Sequence, residues 1–139
     1  MILLDTNVVS ELMRPAPAQV VVSWLAAQPA ASLFICAVAE AELRHGASLL
    51  PEGRKRTELK VAIEAMLAED FAGRILPFDS AAAVAFATIS SGRRQVGRPI
   101  SQFDALIAAI AQSRGAALAS RNVADFEGCG VEIINPWSA

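Results

Sequence analysis

The sequence predicts an α/β fold: a three-layer α/β/α sandwich around a mainly parallel central sheet. Three observations predict it. The apolar runs are short and do not alternate with polar residues, as in Ile2-Leu3-Leu4 and Leu33-Phe34-Ile35-Cys36, which suits strands buried on both faces. Each run stops at a polar or small corner and passes into a helical pattern. The resulting order, βααβααβαα followed by two strands, is that of a sheet joined by crossover helices. A single domain, 1–139, accommodates all of it, since 139 residues bury about two thirds of their unfolded surface without disulfide support.

Taken in order, the first strand ends in Asp5-Thr6-Asn7. In open α/β sheets ligands bind beyond the carboxyl ends of the strands, and Asp5 stands there. Thr6 or Asn7 can cap the helix suggested by Val8, Val9, Glu11 and Leu12, and Asp5 as a plain cap is the competing reading. Arg14-Pro15-Ala16-Pro17 ends that helix. A second helix follows at about 18–28, with Val21, Trp24 and Leu25 on its apolar side.

The second strand, 32–37, runs straight into a helix at 38–50, where Ala39, Leu43, Gly46 and Leu50 are expected to face the sheet. Glu40 and Glu42 flank that stripe on opposite sides, both near the first turn, where the helix dipole favours a carboxylate. Periodicity alone does not choose between them. After the break at Pro51-Glu52-Gly53, a helix spans about 54–71. Its opening Arg54-Lys55-Arg56 reads as solvated, and Val61, Ile63, Met66 and Leu67 form a broad apolar face.

Gly73 to Asp79 reads as a turn, a short third strand and a second acidic corner, with Asp79 the N-cap of an Ala-rich helix at 81–93. The loop at 92–99 carries three arginines, Arg93, Arg94 and Arg98, and two glycines; such a mobile, Arg-bearing loop suits an anionic polymer. Ser101 and Asp104 then approximate a capping box. Asp104 also flanks the apolar stripe of Ile100, Phe103, Ile107 and Ile110. Gly115 stops that helix. A fourth strand of small residues, 116–119, leads to a third polar corner, Ser120-Arg121-Asn122-Val123-Ala124-Asp125, and 131–134 is the last strand.

Composition narrows the chemistry. Apolar residues make up 54% of the chain, yet no window reaches the roughly 18 uninterrupted apolar residues of a membrane span. No basic segment, apolar core and cleavage site open the chain, so a cytoplasmic protein is expected. Cys36 and Cys129 fit neither a redox pair nor a zinc set. With His45 the single histidine, any nucleophile–histidine system depends on it, and a metal site has to be built from oxygen, which points to Mg²⁺ or Mn²⁺. The net charge of −2 excludes a wholly basic nucleic-acid binder. An Asp-x-Asp phosphatase fits poorly, because Asn7 stands two residues after Asp5. A phospho-receiver fits poorly too, because Ser120-Arg121 rather than a lysine follows the fourth strand.

Asp5, Glu42, Asp104, Asn122 and Asp125 recur at strand ends or in first helical turns. Capping explains each one alone. Right-handed crossovers, however, bring such corners to one edge of the sheet. Three carboxylates within about 5 Å repel one another by several kcal/mol at an effective dielectric near 20, which favours a divalent cation.

Leu3-Leu4-Asp5-Thr6-Asn7, Ala41-Glu42-Leu43-Arg44-x-Gly46, Phe103-Asp104-Ala105-Leu106-Ile107-Ala108 and Ser120-Arg121-Asn122-x-x-Asp125-Phe126 resemble, in order and spacing, the PIN domain. They are most similar to the toxins of bacterial type II toxin–antitoxin pairs, the VapC/FitB-like group. The match runs the whole chain, including Pro77-Phe78-Asp79 and Asn135-Pro136-Trp137. The resemblance implies a PIN-like fold and a Mg²⁺-dependent endoribonuclease toxin, with Mn²⁺ able to substitute. It selects Glu42 over Glu40. Asp5, Glu42 and Asp104 are the implied metal ligands, Asn122 and Asp125 complete the catalytic set, and Thr6, Asn7 and Ser120 orient ligands or water from behind. Implied partners are RNA, a cognate antitoxin whose tail covers the pocket, and a second copy of the chain, as a homodimer or a dimer of toxin–antitoxin heterodimers.

One departure stands out: Asn122 occupies a position that is often Asp in this group. A second ion would then be held more weakly unless Asp125 reaches in. The alternative expectation is a PIN-like binding module with a weakened site, acting within a toxin–antitoxin complex on operator DNA.

Overall fold

The structure, a computed structural model, describes all 139 residues. In chain order the elements are β1 (Ile2–Leu4), α1 (Thr6–Leu12), α2 (Gln19–Ala26), β2 (Leu33–Cys36), α3 (Ala37–Ser48), α4 (Arg54–Ala65), β3 (Ile75–Leu76), α5 (Ser80–Gln95), α6 (Gln102–Arg114), β4 (Ala117–Ala119) and β5 (Ile133–Ile134). The expected order is the observed one. The sheet runs β3-β2-β1-β4-β5, and every strand pair is parallel.

Placement of β1 at the centre follows from its side chains. Leu3 and Leu4 point to opposite faces, as neighbours in a strand must, and both are fully buried. Leu3 joins a core with Ile107, Ile110, Leu118 and Phe126. Leu4 joins the other, with Val8, Val21, Ile35 and Phe71. Truncating either leucine to alanine would cost about 2–5 kcal/mol. On the face of β4 that carries Leu118, α6 packs with Ala108, Ala109 and Ala111 buried, so small residues on the helix share one core with Leu118.

From β1 the chain steps outward to β2 and β3, then returns past β1 to β4 and β5. The carboxyl ends of β1 and β4 therefore flank the point where the direction of winding reverses, the crevice where such sheets bind ligands.

Several local expectations shift. Helix α3 turns Ala39, Leu43 and Ala47 inward, and Gly46 is exposed. The helix expected at 54–71 ends at Ala65 and continues as a wider turn, Met66–Asp70; Ile63 and Leu67 are buried, whereas Val61 is exposed. On α6, Ile107 and Ile110 are buried, but Phe103 is 54% exposed. The largest change concerns Arg93. Helix α5 continues through it to Gln95, and the residue is only 7% exposed. Its Nε donates to the Arg98 carbonyl at 2.7 Å, and Nη1 donates to those of Asp125 and Glu127 at 2.7 and 2.9 Å. Arg93 is thus a clamp between the segment before α6 and the polar corner after β4, not a mobile polymer guide. Arg98 is exposed and pairs with Glu127.

Candidate functional site: an acidic cleft at the sheet switch point

Asp5 is held by the sheet before its side chain does anything. Its N–H donates to the Ala119 carbonyl at 2.9 Å, extending the β1–β4 ladder by one residue. One carboxylate oxygen accepts from the Thr6 N–H at 2.8 Å, so Asp5 is itself the N-cap of α1. The expectation that Thr6 or Asn7 takes that role is corrected: they follow the helix start and make other bonds. Capping uses only one oxygen. The other accepts from the Ser120 hydroxyl at 2.7 Å.

Ser120 holds the corresponding place at the end of β4. It is fully buried, and its N–H donates to the Ile134 carbonyl at 2.9 Å. Its hydroxyl also accepts from the Asn122 N–H at 3.1 Å and lies 3.5 Å from the Asn7 amide nitrogen. The Asn7 side-chain oxygen accepts from the Arg121 N–H at 3.4 Å. The two strand-end corners are therefore laced together through Ser120 and Asn7.

Glu42 reaches the same place from α3: its carboxylate accepts from the Thr6 hydroxyl at 2.8 Å. Thr6 thus ties Asp5 to Glu42, one through its backbone and one through its side chain. Glu40 faces the other way and pairs with Arg44, which also pairs with Glu64. On α6, the Asp104 N–H donates to the Ser101 hydroxyl at 3.3 Å, which caps the helix and leaves the half-buried Asp104 carboxylate facing the cleft.

Together these groups line a cleft of about 460 Å³ that contains no apolar side chain. Asp5, Glu42 and Asp104 supply its acids, Thr6, Asn7 and Asn122 its neutral donors, and Arg14 and Glu11 part of its rim. Asp125 does not line it. That residue sits on the turn Val123–Phe126, exposed, with its carbonyl held by Arg93, and its charge acts on the site only by raising the pKa of Asp104. Asp79 caps α5 and pairs with Arg114, as a structural residue should.

The electrostatics mark the site. Burial, the largest cause, raises Asp5 above the usual aspartate range; the Ser120 and Thr6 hydrogen bonds oppose it, and the charges of Asp104 and Glu42 reinforce it. Burial likewise raises Asp104, against the Ser101 hydroxyl. Cys36, at the end of β2, is pushed up to about 11 chiefly by burial, so it stays a thiol and offers no thiolate ligand.

A divalent cation can be tested against the donor set. No arginine or lysine pairs with Asp5, Glu42 or Asp104, although Glu11, Glu40, Glu58, Glu64, Asp79 and Glu127 each have such a partner. Unpaired acids facing one crevice, all with oxygen donors, fit Mg²⁺ or Mn²⁺. The three do not close into a ready-made cage. Such spacing suits an ion that retains several of its waters.

Glu11 had no assigned role in the sequence. It is buried, accepts from the Ala18 N–H at 2.9 Å and pairs with Arg14, and the Ala18 bond is the chief cause lowering its pKa. It closes the α1–α2 turn. The available signal was its i,i+3 spacing to Arg14 before two prolines.

The PIN domain family model matches residues 2–127. The chain is 39% identical over 137 residues to the VapC ribonuclease Y4jK of Sinorhizobium fredii, covering 99% of this chain and 98% of that protein. It is 41% identical over 137 residues to the toxin FitB of Neisseria gonorrhoeae, covering 99% of each. It superposes on the crystal structure of FitAcB from Neisseria gonorrhoeae with a TM-score of 0.94 at 40% identity, covering 100% of both chains.

Proposed function

The chain belongs to the PIN-domain family, and from that premise we propose that it is a Mg²⁺-dependent endoribonuclease, the toxin of a toxin–antitoxin pair. The observation that carries this reading is the group of three acids without cationic partners, Asp5, Glu42 and Asp104, at the switch point of the sheet. The kinship to proteins named ribonuclease and toxin supports the substrate class and the antitoxin partner.

Asp5, Glu42 and Asp104 would hold the ion, directly or through water. When bound, Mg²⁺ supplies Lewis acidity toward the scissile phosphate and a water activated for in-line attack. The side chains supply the rest. Asp5 is aimed by Ser120 and Thr6, Glu42 is aimed by the Thr6 hydroxyl, and Asn7 keeps the Ser120–Asn122 corner in register. Supporting groups of this kind fix ligand orientation. Hydrolysis adds the water oxygen to phosphorus, breaks the bond to the 3′ oxygen and protonates it, leaving 5′-phosphate and 3′-hydroxyl ends.

Incubation of single-stranded RNA with the protein tests this. Cleavage is expected with Mg²⁺ or Mn²⁺ and is expected to vanish with EDTA; EDTA-resistant cleavage sinks the reading. Asn122 motivates a second reading, a weakened site acting inside a toxin–antitoxin complex on operator DNA. A titration in which Mn²⁺ fails to bind would favour it. A homodimer, alone or as a dimer of toxin–antitoxin heterodimers, belongs to the same proposal, and a monomeric mass at micromolar concentration counts against it.

A further inference from the structure

A polyanion reaching an acidic cleft on a molecule of net charge −2 needs cations placed outside the acids. Seven of the ten arginines are already engaged. Arg14, Arg44, Arg54, Arg98 and Arg114 pair with carboxylates, and Arg74 and Arg93 donate to backbone carbonyls.

Arg56, Arg94 and Arg121 remain, and of these Arg121 alone adjoins a residue that lines the cleft. No carboxylate or carbonyl takes its guanidinium, which lies instead over the Trp137 ring, with Cζ 5.0 Å from the centroid. It stands between Ser120, bonded to Asp5, and Asn122, which lines the cleft. Its backbone is fixed by Asn7. The platform beneath it is anchored too: Trp137 is half-buried against the core, and its backbone N–H donates to the Asn135 side-chain oxygen at 2.9 Å. A guanidinium laid on an indole keeps its N–H donors in plane and free at the edge, the geometry that grips a phosphate.

We propose that Arg121, stacked on Trp137, takes the RNA phosphate flanking the scissile one, and that Trp137 is the positioning residue that holds it there. This rests on the reading of the acidic cleft as a nuclease site. Sequence-tolerant binding of single-stranded RNA is built from such cations and aromatic planes.

Fluorescence anisotropy of a labelled single-stranded RNA on the Asp5→Asn background, which leaves the RNA intact, provides the test. Arg121→Ala is expected to weaken binding about tenfold and to reduce the salt slope by about one. In the catalytically intact chain the same change is expected to raise KM more than it lowers kcat, with Mn²⁺ affinity unchanged. Arg121→Lys should recover only part, since an ammonium neither stacks nor forks. Trp137→Phe, which keeps an aromatic platform, should fall between wild type and Arg121→Ala. Unchanged affinity and slope in Arg121→Ala overturn the proposal. So does an equal loss of Mn²⁺ binding, or a loss confined to the antitoxin. RNA bound but never cut by the unaltered chain removes the nuclease reading and leaves this contact standing; no RNA binding removes both.

Discussion

Asp5 and Asp104 are aspartates of one cleft held in opposite ways. Asp5 ends the central strand, is 5% exposed, and has both oxygens engaged. Asp104 stands in the first turn of α6, half-buried, with its backbone N–H and its carboxyl both turned to the Ser101 hydroxyl. The strand-end acid has its position imposed by a hydrogen-bond ladder on both sides. The helix-end acid is held only from its own first turn: Asp5 is tied to a partner 115 residues away, Asp104 to one three residues away.

That contrast can be broken experimentally. The largest effect is expected for Asp5→Asn: RNA cleavage falls to background while the fold persists, because Asn also caps helices. Its stability carries a sign. A carboxyl whose folded-state pKa is raised binds its proton more tightly when folded, so the ion-free protein loses stability as pH rises through that window and keeps it below. Burial raises Asp5 in this way. Thermal melts should therefore show Asp5→Asn gaining on wild type more at pH 7 than at pH 4; a gain that is larger at pH 4 would contradict the assignment.

Ser120→Ala comes next. Losing the hydroxyl that aims Asp5 is expected to lower Mn²⁺ affinity by about 10–100-fold, as for other groups that support a ligand. Calorimetry showing unchanged affinity would mean the ladder alone positions Asp5. The smallest effect is expected at the polar corner after β4, where Asn122→Asp should strengthen binding of a second Mn²⁺ and leave the first within about threefold. If the first ion is the one that tightens, the corner belongs with Asp5 rather than with a second ion.

Much of this was legible from residue order. Non-alternating apolar runs placed β1, β2 and β4, the polar corners and first helical turns pointed to Asp5 and Asp104, and the resemblance to the PIN domain chose Glu42 over Glu40. What the sequence hid is nonlocal. Cap and ligand look like rival roles for Asp5 until the geometry assigns one oxygen to Thr6 and the other to Ser120. Arg93 sits among polar neighbours that suggest a loop, and its three carbonyl partners lie up to 34 residues away. Phe103 and Val61 fit helical stripes, yet both are exposed, because periodicity marks a face of a helix and not what packs against it. Glu42 and Glu40 flank one stripe almost equally, and Arg44 with Glu64 draws Glu40 outward.

Placing the site at the end of the middle strand has a kinetic consequence. β1 lies between β2 and β4, so the Asp5 amide is freed only when the sheet itself opens. Its hydrogen exchange should follow global unfolding, whereas amides in the Val123–Phe126 turn exchange through cheaper local openings. A cleft so embedded cannot be silenced by melting its own frame. Under the proposed function, a restraint on the cleft would have to come from outside and cover it.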